Sequence, residues 1–358
     1  MTSIDNSKLT IASTDSETHR WSPTRIPLIY WTVGTVLMLV PAIASDFVMF
    51  QIFGWAYILG MIALSLMFLA GQGGMVSLVQ MTVAGVAGYM TAILGTSAIT
   101  TISLGGPWWL VVPAAIVIAV LFGTLTGALA VRTEGIYTIM ITLAIATAFF
   151  YFARQNYVIF NGFSGFNQVL PPVLFGINWR DPVAFYYLAL FWAVASYLAV
   201  LYVTRSPFGL ALQGVRDNPR RMEALGFNVT AHRIAAYTFA SVIAAIGGVL
   251  LVWLNGQISP GTISVGPVID ILIIAVVGGL RHPIGPFIGA FIYVLLRTFA
   301  LDALVSVGLP GERFQLLIGL GFLVIVFWSS DGVIGLWQQW RDRVGRVDPL
   351  TGQPRDGT

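Results

Sequence analysis

Asp270 is the one acidic residue well inside a long apolar run of this sequence. A carboxylate at membrane depth is costly enough to need a role. It can carry a proton, meet the ammonium of a solute, or serve as a structural acceptor near an interface. The last fits best, because Asp270 lies only about two turns from the end of its run. A second group, Ser77, Gln80 and Thr82, sits in the stretch GQGGMVSLVQMTVAGVAGY at 71–89. An unpaired polar atom in an apolar medium costs about 1–3 kcal/mol, so these three either line a wet pathway or tie helices together. Tyr137 and Thr142 are five apart and point to different faces of a regular helix, so a shared site would need a kink. His19, His232 and His282 have no metal-ligand spacing, and no metal site is expected. There is no Cys, which removes disulfides, thiolate metal sites and thiol nucleophiles. Lys8 is the only Lys, so no Gly-rich loop followed by Lys can hold phosphates; ATP, if it supplies the energy, is bound by another subunit. No Ser, His and acid arrangement suggests a hydrolase, and an enzyme is not expected.

The elements that position these groups are membrane spans. Of 358 residues, 57% are hydrophobic and 9% charged, with mean hydropathy +0.85. Soluble domains carry about 25% charged residues, so this is an integral membrane protein. The net charge of +3 is spread over loops and is no nucleic-acid signal. Runs of roughly 20 apolar residues predict ten helical spans, at 27–43, 47–70, 72–95, 108–131, 135–153, 183–204, 234–254, 265–279, 284–300 and 314–328. The third and eighth carry polar or Gly-rich interruptions, so either could be broken or re-entrant. With the N-terminus cytoplasmic, 14 Lys and Arg fall inside and 4 outside. The expectation is an all-α polytopic protein with both termini cytoplasmic. Polar tails at 1–26, expected to be disordered, and 331–358 flank a transmembrane domain at 27–330.

Small residues recur every four positions: Ala84, Gly88 and Ala92; Gly123 and Gly127; Ala240, Ala244 and Gly248; Gly285 and Gly289. Such stripes let helices within one chain pack closely. The loop at 154–182, rich in Gly, Asn, Pro and aromatics, suits an ordered outer cap. Arg297 is expected to snorkel to an interface.

The charged loop at 205–233 orients everything else. Asn218 as N-cap, Pro219 at the first helical position and Gly226 as a left-handed terminator predict a two-turn helix at 219–225. So short a helix needs something to dock against. Met222 and Leu225 lie three apart, an exposed apolar pair within a rim of Arg220, Arg221 and Glu223 suited to a partner's groove.

Phe208-Gly209, Val215-Arg216-Asp217-Asn218, Glu223-Ala224-Leu225-Gly226 and Asn228-Val229-Thr230 resemble the coupling loop of ABC-importer permeases of the branched-chain amino acid (LivM-type) family. Gly71, Gly74, Ser77-Leu78, Gly85 and Tyr89 fit the same family, as do Arg132, Gly135-Ile136-Tyr137, Thr142-Leu143-Ala144, Asn161-Gly162, Ser164-Gly165 and Val277-Gly278-Gly279. The resemblance implies a bacterial cytoplasmic-membrane subunit working with a second permease, two ATPases and an extracytoplasmic binding protein. It has no cofactor of its own; ATP and Mg belong to the partner ATPases. It implies coupling through Arg216, Asn218, Pro219, Met222, Glu223, Ala224, Leu225 and Gly226. Its substrate pathway would use Ser77, Gln80, Thr82, Tyr137, Thr142, Ser164 and Asp270. Branched-chain amino acids are the first cargo it suggests, with urea, short amides or other amino acids as alternatives. The rival class is a stand-alone proton-coupled carrier using Asp270.

Overall fold

The computed structural model describes residues 28–174 and 176–306, with Gly319, Gly332 and Gly335. The expected apolar run at 314–328 and the polar tails thus lie outside the described residues, those three glycines apart. The chain divides into two units, residues 1–44 and 45–358. The first contributes helix α1, Leu28–Ile43.

The second is built around one helical rod. Its middle, α2 (Trp55–Met67), is flanked by π-helical turns at Val48–Gly54 and Phe68–Gln72. The rod's most apolar stretch is 89% buried, as expected for a helix apolar on every side. Around it run α3 (Gln80–Leu94), α4 (Trp108–Ala130), α5 (Ile136–Gln155), α6 (Pro182–Arg205), α7 (Pro207–Asp217), α8 (Pro219–Ala224), α9 (Val229–Asn255), α10 (Val265–Gly278) and α11 (Gly285–Ser306). Among the described residues, five helices are long and apolar enough to cross a membrane. The sequence signals mark their ends. Pro182 opens α6 after Asp181, Asn228 accepts a bond from Ala231 N to cap α9, and Gly256 closes α9 in the left-handed region.

The small-residue stripes are intramolecular contacts. A Cβ on Gly248 would overlap the backbone of Ala84, one on Gly123 the Ser241 side chain, and one on Gly289 the Ile274 carbonyl. On Gly127 it would come within 2.5 Å of the Tyr237 ring. Backbones therefore approach closely, which is how helices gain van der Waals contact where no hydrophobic drive separates them from lipid. Five hydroxyls inside the helices are satisfied locally: Thr91, Thr124, Thr126, Thr147 and Ser241 each donate to the carbonyl four residues back.

One of the two possible breaks is present, and three other expectations are amended. The third run is interrupted: residues 73–79 are irregular, and its helix begins only at Gln80. The eighth is unbroken but short; α10 has 14 residues, about 21 Å, and its interruptions are a 3-10 turn before it and Gly279 (φ 109°) after it. The loop at 205–233 contains two helices rather than one, because Ser206 and Pro207 start α7 with their own cap. The chain is also not purely helical. Strand β1 (Phe166–Asn167) pairs antiparallel with β4 (Gln257–Ile258), and β2 (Val173–Leu174) with β3 (Ile177–Asn178). The β1–β4 ladder ties the 154–182 loop to the end of α9, so that loop is an ordered cap. It also places this cap and the 205–233 loop at opposite ends of α9, here the cap end and the loop end.

Candidate functional site

Asn218 holds the loop end together. Its backbone N–H donates to Gly214 O at 2.9 Å, finishing α7, while its side chain accepts from Arg221 N at 3.0 Å, starting α8. Gly226, at φ 88°, ends α8 in a left-handed turn. There Phe227 N donates to Met222 O at 3.0 Å and Gly226 N to Glu223 O at 2.9 Å. Helix α8 stops at Ala224, with Leu225 as its C-cap, and no residue of it is buried. The expected apolar pair is split. Met222 folds back on Gly214 of α7, where a Cβ would stand 2.8 Å from its sulfur, whereas Leu225 is 67% exposed. The reason is α7 itself, whose close approach gives Met222 a neighbour that a lone helix lacks. Replacing Asn218 with Ala removes a cap worth about 1 kcal/mol, so amide exchange at residues 219–226 should quicken about fivefold with little change in Tm.

Helix α7 is fastened to the end of the central rod. Its inner face, Gly209, Ala211, Leu212 and Val215, is buried. Gln213 Nε2 donates to Gln72 Oε1 at 2.7 Å. The Arg216 guanidinium donates to the Gly71 carbonyl and, through Nε, to Asp217 at 3.0 Å. Its stem crosses Gly74, where φ is +67° and a Cβ would come within 2.5 Å of Arg216 Cγ. Gly71 is equally constrained, because a Cβ there would overlap the Leu280 carbonyl.

Past this anchor the irregular segment 73–79 enters the bundle. Leu78 N donates to Thr142 Oγ1 at 3.1 Å, and Thr142 in turn donates to Thr138 O at 2.9 Å. Ser77, Gln80, Thr82 and Thr142 are all fully buried. Ser65 Oγ donates to Gln80 Oε1 at 3.2 Å, tying α2 to α3. Gln80 Nε2 and Thr82 Oγ1 have no hydrogen-bond partner among the described residues. Between the segment, the α4–α5 turn and the head of α8 opens a cleft of about 530 Å³, lined by Gly74, Thr133, Glu134, Thr138, Arg216 and Arg233 among others. Arg233 and Glu134 pair across 3.6 Å.

The seven expected pathway residues do not form one cluster. Ser77, Gln80, Thr82 and Thr142 belong to the broken segment and its neighbours. Tyr137 is 70% exposed on another face of α5 from Thr142, and no kink joins them. Ser164 is exposed at the cap end, beside an Asn161 side chain that donates to Gly165 O at 2.7 Å. Asp270 lies in α10, with Tyr293 and Arg297 as its polar neighbours. Arg297 is exposed, and its guanidinium stands over the Trp55 ring, 5.6 Å from the centroid. Sequence reasoning missed Ser65, Gln72 and Gln213. Gln72, set among glycines at the end of an apolar run, was the readable signal.

A family model described as "Branched-chain amino acid transport system / permease component" matches residues 48–326. The chain is 24% identical over 287 residues to the high-affinity branched-chain amino acid transport system permease protein LivM of Salmonella typhimurium, covering 74% of this chain and 66% of that protein. The LivM of Escherichia coli gives the same values. The nucleoside ABC transporter permease protein NupC of Lactococcus lactis is 27% identical over 249 residues, covering 64% of this chain and 74% of that one. The chain thus spans slightly under two thirds of the length of both LivM relatives. No solved structure matches it.

Proposed function

Since the chain belongs to the family of permease components of branched-chain amino acid transport systems, and is a multi-pass protein of the inner membrane, we propose that it is one half of the membrane pore of an ATP-driven importer. Its partners are a second permease, two cytoplasmic ATPases that hold ATP and Mg, and an extracytoplasmic binding protein. Both termini and the loop end face the cytoplasm, the chain crosses the membrane ten times, and it catalyses no reaction itself. Its cargo is a branched-chain amino acid.

The observation that carries this reading is the placing of α8. It is exposed throughout, yet it is capped onto α7, which is bonded to Gly71 and Gln72 just before the break in the third span. Closure of the ATPases pushes α8, and α7 passes that movement to segment 73–79 and its buried hydroxyls. Rigid-body transfer of this kind needs ATP to favour one state over the other.

The rival is a proton-coupled carrier. The two separate in inverted vesicles carrying this permease, its partner permease and the ATPases. Cargo movement should depend on ATP and survive dissipation of the proton gradient. Collapse of transport on dissipation with ATP maintained would overturn the importer reading. Within it, Gly226→Val forces a branched side chain into a left-handed conformation costing about 1–2 kcal/mol. It should slow uptake severalfold while leaving the binding protein's affinity for cargo unchanged; normal uptake would count against α8 as the point of entry.

A further inference from the structure

At the cap end, α2, α3, α9, α10 and α11 line a partly open cavity of about 240 Å³. Two opposite charges face it, Asp270 from α10 and Arg297 from α11, yet no ion pair joins them. The rest of the wall is mostly apolar, with Leu59, Met81 and Leu251 contributing.

Asp270 is half-buried and Arg297 exposed, and without a direct contact between them the carboxylate keeps only part of the attraction that would offset its desolvation. A solute carrying both charges restores it. Arg297 is held from behind by the Trp55 ring, which leaves the edge of its planar fork for a carboxylate. Tyr293, 7% exposed, stands with Asp270 in the same wall of the cavity. The cavity falls below the roughly 300–1,000 Å³ typical of drug-sized ligands, which suits a small solute.

We propose that this cavity is a binding site for a zwitterionic amino acid with an apolar side chain. Asp270 takes the ammonium, Arg297 the carboxylate, and the Leu59, Met81 and Leu251 wall the side chain. The site rests on the importer reading and deepens it: cargo released at the cap end is received inside this subunit. An ordinary nucleoside carries no zwitterion, so the site selects against the cargo class in the name of the NupC relative.

The test uses the full complex of both permeases and ATPases in nanodiscs, without binding protein, and follows tritiated leucine by scintillation proximity. Wild type should bind leucine, and unlabelled leucine should displace it. Isocaproate, which lacks the ammonium, and isoamylamine, which lacks the carboxylate, should not. Asp270→Asn and Arg297→Gln should each weaken binding roughly ten- to hundredfold, the loss of one charge-assisted contact. Both variants should co-purify with the partner permease and the ATPases in the same proportions as wild type, which establishes that they assemble. The double variant decides between a ligand site and a structural pair. It should bind no better than the weaker single, whereas recovery to wild-type binding would mean that the charges serve only each other. Leu59→Phe fills the cavity without altering either charge and should also weaken binding. Absence of leucine binding to wild type, or unchanged binding in either single variant, would overturn the site. Failure of the ATPases to co-purify would instead sink the importer reading, and the two failures are distinguishable.

Discussion

Gly248→Leu is expected to leave almost no folded protein. A Cβ at this position overlaps the Ala84 backbone, carbonyl included, so no rotamer change can relieve it and α3 and α9 must separate. Between them lie the buried side chains of Val83, Val86, Ala87, Ala244, Ala245 and Val249, all of which lose contact when the helices part. Overpacking a core typically costs about 1–3 kcal/mol, and more is expected when backbone has to move. Against a total stability of about 5–15 kcal/mol, that is enough to lower the yield of monodisperse protein in mild detergent about tenfold. Gly266→Ala is the control, since a Cβ there meets nothing within 4 Å and yield should hold. Wild-type yield and Tm for Gly248→Leu would mean that α3 and α9 are not in backbone contact.

The second large effect is functional. Arg216→Ala should uncouple the importer: ATP hydrolysis continues while cargo moved per ATP falls roughly ten- to hundredfold. The variant loses the guanidinium bond to Gly71 and the stem packed over Gly74. A hydrogen bond to a charged group contributes about 1.5–3 kcal/mol, which sets the size of the expected loss. Arg216→Lys keeps the charge without the planar fork and should fall between the two. Gln213→Leu, which breaks only the bond to Gln72, should have the smaller effect. An unchanged ratio of cargo to ATP in Arg216→Ala would remove α7 from the path of force.

Much of this protein is written locally. Signals such as Asn218 and Gly226 act within about four residues of themselves, so the short helix of the charged loop could be placed by reading along the chain. The polar, Gly-rich interruption at 71–80 was legible for the same reason, because glycines and amides depart from an otherwise apolar run. Four-residue stripes of small side chains likewise marked the close contacts that Gly127 and Gly289 make. Helix α7 went unread because Ser206 and Pro207, its cap and first residue, fall where an apolar span was already ending.

What the sequence determined by itself is the solvent and the punctuation: membrane helices, their breaks, and one charged loop with its caps. Only tertiary structure decided which way each helix is turned. A span that is apolar on every side carries little amphipathic signal to fix its rotation; contacts between small residues and paired polar groups fix it instead. Hence Arg216 finds Gly71 across 145 positions and Met222 turns inward onto Gly214. By the same route Asp270 and Arg297, on separate helices, come to face one cavity.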